Sequence, residues 1–397
     1  MPSVVLISSG QPSLNPRLVK EADALAQAGY NVTVFYAYWN EWGTEYDRQL
    51  SPSRKWKSVR VGGSPENGRI TFMLSKIVQK LGRTFKSSAW GFMGLSRASF
   101  HLAKEVKKHK ADLYIAHNLG ALPAACIAAA KHNKPCGFDA EDFHRNETSD
   151  DAANADVLLK SAIEDKYIPR LSYLTASSPL IAAQYKTLYP LLNPVVVLNV
   201  FDKVDIEPAK HQKPLKLFWF SQTIGRGRGI EDVVSALSTL NAKNFELHLL
   251  GHIPVYSQQF VEEIIATGIS VKFYAPIPPD EVISFAAQFD LGLALEQRKP
   301  LNRDLCLTNK IFTYLQAGLG VIATETTAQA TFMNLNKAIG STFKNNDSAE
   351  LAGLLSDYQQ NRDKLNTCKL ASLKLADTTY NWKIESKKFL KVVEETI

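Results

Sequence analysis

The chain has 397 residues, of which 45% are hydrophobic and 21% charged, with a formal net charge of +7. The length suggests two or three domains, and the composition excludes a disordered chain. The basic excess suits anionic partners such as nucleotides, phosphates or an acidic membrane surface, without choosing among them.

In chain order, the β-branched run at 4–8 reads as a strand, not as a secretion signal. Leu14, Leu18, Ala22 and Leu25 fall on one helical face, which Gly29 ends. A second strand follows at 32–36. Further on come a strand at 113–116, a helix over about 120–132, and strands at 136–138 and 171–175. This βαβ alternation implies a parallel, doubly wound sheet. The stretch 202–216 is polar, contains Pro208 and Pro214, and reads as a linker. The pattern then restarts, with strands at 215–220, 245–250, 269–274, 291–295 and 320–323. Helices at 230–240, 257–266, 278–288 and 309–317 alternate with them. The expected fold class is α/β, with two doubly wound, Rossmann-like domains facing across a cleft.

No apolar run approaches the ~20 residues needed to span a bilayer. The four cysteines, Cys126, Cys136, Cys306 and Cys368, form no C-x-x-C pair. A zinc site is therefore not expected, and a reducing compartment suits the chain. One segment breaks the alternation. From Arg69 to Lys110 the only acidic residue is Glu105, while Met73, Ile77, Leu81 and Phe85 repeat every four positions. Two readings fit it: a basic amphipathic helix lying on anionic lipid, or a helix whose apolar side packs on the sheet while its charges are solvated.

Ligands of open α/β sheets bind beyond the carboxyl ends of the strands, so the strand-to-helix loops carry the candidate chemistry. In the loop 221–230, Gly225, Gly227 and Gly229 let the backbone approach an anion, and the next helix offers its N-terminal N–H groups. Arg226 and Arg228 add guanidinium donors matched to phosphate. Thr308 is placed to cap a helix that begins with Asn309 and Lys310. A lysine there opposes the positive helix end, a conflict that a bound diphosphate would remove. Gly251 ends the strand 245–250, and Glu296 follows the strand 291–295, where it could accept bonds from sugar hydroxyls. In the first half, His117 ends one strand, and Glu141 and Asp142 follow another. No D-x-D occurs, so neither a metal nor any other cofactor is expected. No aromatic-rich basic motif points to nucleic acid.

These loops, in this order, resemble the GT-B glycosyltransferases, in particular the family 4 type of bacterial surface-polysaccharide pathways. The resemblance rests on Ser8-Ser9-Gly10 through Asn15-Pro16-Arg17, on Ala116-His117-Asn118-Leu119, and on Phe138-Asp139-Ala140-Glu141-Asp142. It continues in Arg228-Gly229-Ile230 and in the block from Asn309-Lys310-Ile311-Phe312 to Gly318-Leu319-Gly320-Val321-Ile322. It implies an acceptor-binding domain over 1–200, a nucleotide-sugar-binding domain over 201–376, and a terminal helix within 377–397 that returns to the first domain. Asn15 and Arg17 would contact the acceptor. His117, Glu141 and Asp142 would be catalytic. Gly225, Arg226, Gly227, Arg228, Gly251, Glu296, Asn309 and Lys310 would hold the donor.

The implied activity is retaining, metal-independent transfer from a nucleotide-sugar to a glycan or lipid-linked glycan. Its place would be the cytoplasm, peripheral to the inner membrane face. Two departures stand out: the family's glutamate pair is replaced by Leu305 and Thr313. The alternatives are a catalytically degenerate binding partner and a nucleotide-sugar epimerase.

Overall fold

The structure is a computed structural model and describes residues 1–84, 91–207 and 213–397. Phe85 of the apolar repeat and Pro208 of the linker lie outside the described residues. The chain divides into two compact units. The first comprises Met1–Leu198, Pro300–Asn302 and Ser386–Ile397, and the second Asn199–Lys299 and Arg303–Glu385. The terminal helix Trp382–Glu394 therefore contributes most of its length to the first unit.

The first unit is built on seven strands: β1 (Ser3–Ser8), β2 (Asn31–Ala37), β3 (Lys57–Val61), β4 (Leu113–His117), β5 (Cys136–Ala140), β6 (Tyr173–Ala176) and β7 (Val195–Val196). They lie in the order β3-β2-β1-β4-β5-β6-β7, and every pair is parallel. The second unit has six: β8 (Leu215–Thr223), β9 (Phe245–His252), β10 (Val271–Tyr274), β11 (Leu291–Ala294), β12 (Gly320–Thr324) and β13 (Gly340–Phe343). Their order is β10-β9-β8-β11-β12-β13, again all parallel. The two orders match strand for strand over the first six positions. In each sheet the direction of growth reverses between the first and fourth strands, and loops diverge there to leave room for a ligand.

Burial explains why these strands were legible. Val4–Ile7 are buried on both faces of a central strand, which makes a continuous apolar run. In the second unit Leu217, Trp219, Leu247, Leu249 and Leu293 share one core. The strands that periodicity missed are marginal ones. Edge strand β3 alternates exposed and covered residues, and β7 has only two residues. The expected helix over 278–288 forms only at Val282–Ala286, because Pro278 and Pro279 bias the preceding backbone away from helix. The expected linker overlaps β8, which begins at Leu215.

The helix Arg69–Thr84 corrects the packed-on-sheet reading. Its buried residues are Ser75 and Gly82, and Gly82 lets the helix approach the Met93–Gly94 backbone. Met73, Ile77 and Leu81 instead stand 61, 57 and 51% exposed. The small-residue side anchors the helix, and the apolar side faces outward. Among the described residues, no helix is long and apolar enough to cross a membrane.

Candidate functional site

The second unit gathers cations at the carboxyl ends of its strands. The turn after β8 reaches the helix Ile230–Ser238 through Gly229, which has φ +78°. A Cβ there would also meet Leu295 Cβ at 2.7 Å, so only glycine fits. Arg228 folds back on β8. Its Nη1 donates to Ser221 Oγ and its Nη2 to Thr223 Oγ1, each at 2.8 Å. Arg303 donates from Nη1 to the Gly227 carbonyl at 3.1 Å. Neither guanidinium has a carboxylate within ion-pair distance among the described residues. Burial lowers the Arg228 pKa and repulsion from Arg303 lowers it further, with Glu296 opposing in part.

Glu296 sits just past β11, and Thr324 Oγ1 and Asn345 Nδ2 both donate to its backbone carbonyl, at 2.6 and 2.8 Å. Its side chain accepts from Lys310 Nζ at 2.6 Å. Burial would raise its pKa, but Lys310, with Arg303 and Arg228 behind it, holds it below the usual carboxylate range. This pair answers the charge conflict read from the sequence: Glu296 already neutralises the lysine at the start of the helix Asn309–Gln316. Thr308 occupies the N-cap position, but its hydroxyl makes no cap bond and is buried without a partner. Asn309, the first residue of that helix, is partly exposed.

Other expected donor residues are placed differently. Arg226 pairs with Glu263 and lies 5.0 Å over the Phe260 ring, so its charge is turned toward the helix Gln258–Ala266 and matched there. Gly251 answers a packing need: a Cβ would meet the Ser221 carbonyl oxygen at 2.5 Å where β8 and β9 converge. A Cβ on Gly225 would meet Ser257 Oγ at 2.8 Å. Gly227 lines a cavity of about 650 Å³ with Arg298, Lys299, Arg303, Glu325 and Lys344. This volume is within the range of small-molecule sites. Sequence reasoning missed Arg303, as it did Arg298, Lys299, Glu325 and Lys344. The only signal for Arg303 was its place just before the Asn309 helix, where it lies in the short helix Leu301–Leu305.

The first unit treats the equivalent positions in the opposite way. Arg17, His117 and Asp139 are fully buried, as is Glu21. Arg17 donates from Nε and Nη2 to the two Asp139 oxygens at 2.5 and 2.7 Å, and from Nη1 to the Val197 carbonyl at 2.5 Å. Thr175 Oγ1 donates to Asp139 Oδ1 at 2.6 Å. His117 Nε2 lies 3.2 Å from Glu21, and its Nδ1 lies 3.5 Å from Asp139 and 3.8 Å from Glu141. Burial alone would lower the His117 pKa, but Glu21, then Asp139 and Glu141, hold it well above the usual histidine range. Burial would raise Asp139, and Arg17 and His117 outweigh it to keep the carboxyl ionised.

Two expectations are corrected by this network. Arg17 cannot reach an acceptor, since its guanidinium is enclosed and each of its three nitrogens is already bonded. His117 shows no surface to a transferred sugar. Glu21, His117 and Asp139 do bring ligand atoms within 4.8 Å of one another. Of these three, Asp139 is also engaged by Arg17.

Glu141 and Asp142, past the end of β5, remain partly exposed. Asn15 caps the helix Pro16–Gln27, accepting from the Leu18 N–H at 2.9 Å, and its Nδ2 donates to Glu141 Oε1 at 2.5 Å. Burial and then Glu147 raise the Asp142 pKa, while His144 and a bond from Asn302 oppose. Glu21 and Asp139 went unassigned in the sequence, although Asp139 stands two residues before Glu141 at the same strand end.

No family model matches the chain, and no curated protein matches it in sequence. Solved structures do match in fold. Sucrose-phosphate synthase from Thermosynechococcus elongatus aligns with TM-score 0.73 at 12% identity, over 100% of this chain and 99% of that one. HepE from Anabaena, solved with UDP-glucose, aligns at 0.67 and 13% over the full length of both chains. WaaG, a glycosyltransferase of lipopolysaccharide biosynthesis, aligns at 0.65 and 14%, over 97% of this chain and 98% of that one. The chain thus has the GT-B fold of these proteins, with two Rossmann-like domains.

Proposed function

We propose that this chain is a glycosyltransferase that moves a sugar from a nucleotide-diphosphate sugar to an acceptor hydroxyl in bacterial glycan or polysaccharide assembly. One observation carries the reading: Arg228 and Arg303 stand at strand ends in the second unit with no acidic partner among the described residues, beside a cavity of ligand size. Two such cations repel each other until an anion arrives, and a leaving diphosphate is that anion. The HepE complex with UDP-glucose on the same fold supports a nucleotide-sugar donor.

In this mechanism Arg228 and Arg303 neutralise charge that develops on the leaving diphosphate, without a required metal. Glu296 sets the position of Lys310. Glu141 and Asp142 orient the acceptor hydroxyl or take its proton, a task suited to the raised Asp142 pKa. His117, sealed inside, is a positioning residue for Glu141. Retention of anomeric configuration belongs to the same proposal.

The test is a thermal-shift panel of UDP, GDP, CMP, ADP, TDP and their sugar conjugates, with and without EDTA. A ligand at ~100 times its dissociation constant adds ~2.7 kcal/mol. One nucleotide class should raise the melting point by a few degrees regardless of EDTA. No shift with any of them would sink the donor site and leave the degenerate-partner reading. Turnover of the nucleotide sugar to an isomer without acceptor would favour the epimerase.

A lipid-linked acceptor is presented at a membrane, and we place the chain at its inner, cytoplasmic face. The outward apolar side of Arg69–Thr84, flanked by Lys76, Lys80 and Arg83, matches an anionic surface in both polarity and charge. The protein should co-sediment with anionic vesicles more than with neutral ones, and Ile77→Glu should abolish the difference. Equal sedimentation of wild type with both would remove this contact.

A further inference from the structure

We infer that the cavity beside Gly227 receives a second acidic group, separate from the donor diphosphate and carried by the donor's sugar or by the acceptor. The inference rests on the glycosyltransferase reading. Its basis is a mismatch between the charge lining the cavity and what a single diphosphate needs.

The cavity is lined by four cationic side chains, Arg298, Lys299, Arg303 and Lys344, against one carboxylate, Glu325. Among the described residues, Arg298 is the one of the four that makes an ion pair, with Nε 3.5 Å from Asp304 Oδ1. Asp304 is itself engaged, accepting from the Thr327 N–H and hydroxyl at 2.9 and 2.6 Å. Glu325 accepts from Thr342 Oγ1 at 3.1 Å. The lining therefore carries a formal excess of three positive charges over Glu325, or two when Asp304 is set against Arg298.

Arg228, the cation assigned to the diphosphate, does not line this space, because it is turned onto Ser221 and Thr223 of β8. Two cation sets thus meet at the glycine turn, and Arg303 touches both: it repels Arg228 and bonds Gly227. A neutral sugar would leave the cavity set unmatched. A carboxylate or phosphate would accept charge-assisted bonds from two or more of them. Three of these cations, Arg298, Lys299 and Arg303, come from the segment after β11, and Lys344 joins them from the turn after β13. The fold therefore adds a distant cation, Lys344, to the basic segment 298–303.

The experiment uses the full chain and calorimetric titration. UDP-glucose is compared with UDP-glucuronic acid, or the matched neutral and acidic pair for whichever nucleotide the panel selects. Glucose 6-phosphate is compared with glucose in the presence of that nucleotide. One acidic member should bind ~10-fold or more tighter than its neutral partner, a gap typical of one charge-assisted contact. The gap should close in Arg298→Gln/Lys344→Gln and persist in Lys344→Arg. Preference in the first pair assigns the acid to the donor sugar, and preference in the second assigns it to the acceptor. Equal binding within both pairs overturns the inference while leaving the donor reading intact. So does an acidic preference that survives removal of both cations. Failure of every nucleotide to bind would instead remove the glycosyltransferase reading beneath it. Arg298 and Lys344 are exposed, so unchanged melting points will show that both variants fold.

Discussion

The two sheets repeat one strand order but treat charge at their strand ends in opposite ways. In the first unit Arg17, Glu21, His117 and Asp139 are enclosed, and each cation faces a carboxylate. In the second, Arg228 and Arg303 stand partly exposed, and among the described residues their partners are hydroxyls and a carbonyl. Enclosed, matched charges fix a structure: removing one leaves its partner stranded in low dielectric. Unmatched charges at an open strand end stabilise little by themselves and are available to a ligand. The same topological position thus holds enclosed, matched charge in one half and open, unmatched charge in the other.

Substitutions should separate the two regimes. Asp139→Ala strands Arg17 and should destabilise the first unit by about 3–5 kcal/mol, read as the denaturant midpoint. Arg228→Ala should shift that midpoint by about 1 kcal/mol at most, yet weaken nucleotide-diphosphate binding by roughly 10- to 100-fold, the worth of a charge-assisted bond. Reversed magnitudes would break the comparison.

A smaller effect concerns pH. The raised pKa of His117 makes its contribution to stability complete below its unfolded value of 6.5. The contribution is lost as pH climbs from there through the folded value. Stability of wild type should therefore fall relative to His117→Gln above pH 6.5. Parallel curves for the two proteins would mean that His117 is not held protonated.

Much of this was legible in the sequence, and the exceptions have physical causes. Central strands such as β1 and β8 announce themselves because both faces are buried. Edge strand β3 does not, because its polar residues answer to solvent as much as to the sheet. Arg228 was found because glycines and a helix start surround it. Arg17 and Arg226 were assigned to ligands because sequence shows residue type and not direction: one points inward to Asp139, and the other sideways to Glu263. Lys310 was read as awaiting a diphosphate, since its partner Glu296 lies fourteen positions away and local helix rules do not reach that far. Arg303, Arg298 and Lys344 acquire meaning only when the segments after β11 and β13 converge on one cavity.

The most direct measurement is hydrogen–deuterium exchange with and without the nucleotide diphosphate that gives the largest thermal shift. Bound nucleotide should slow exchange in the loop 221–231 and around 296–312. The strand ends at 8–10, 117–120 and 139–142 should keep their rates. Protection confined to those first-unit segments, with the second-unit loops unchanged, would contradict the assignment of the anion site to Arg228 and Arg303.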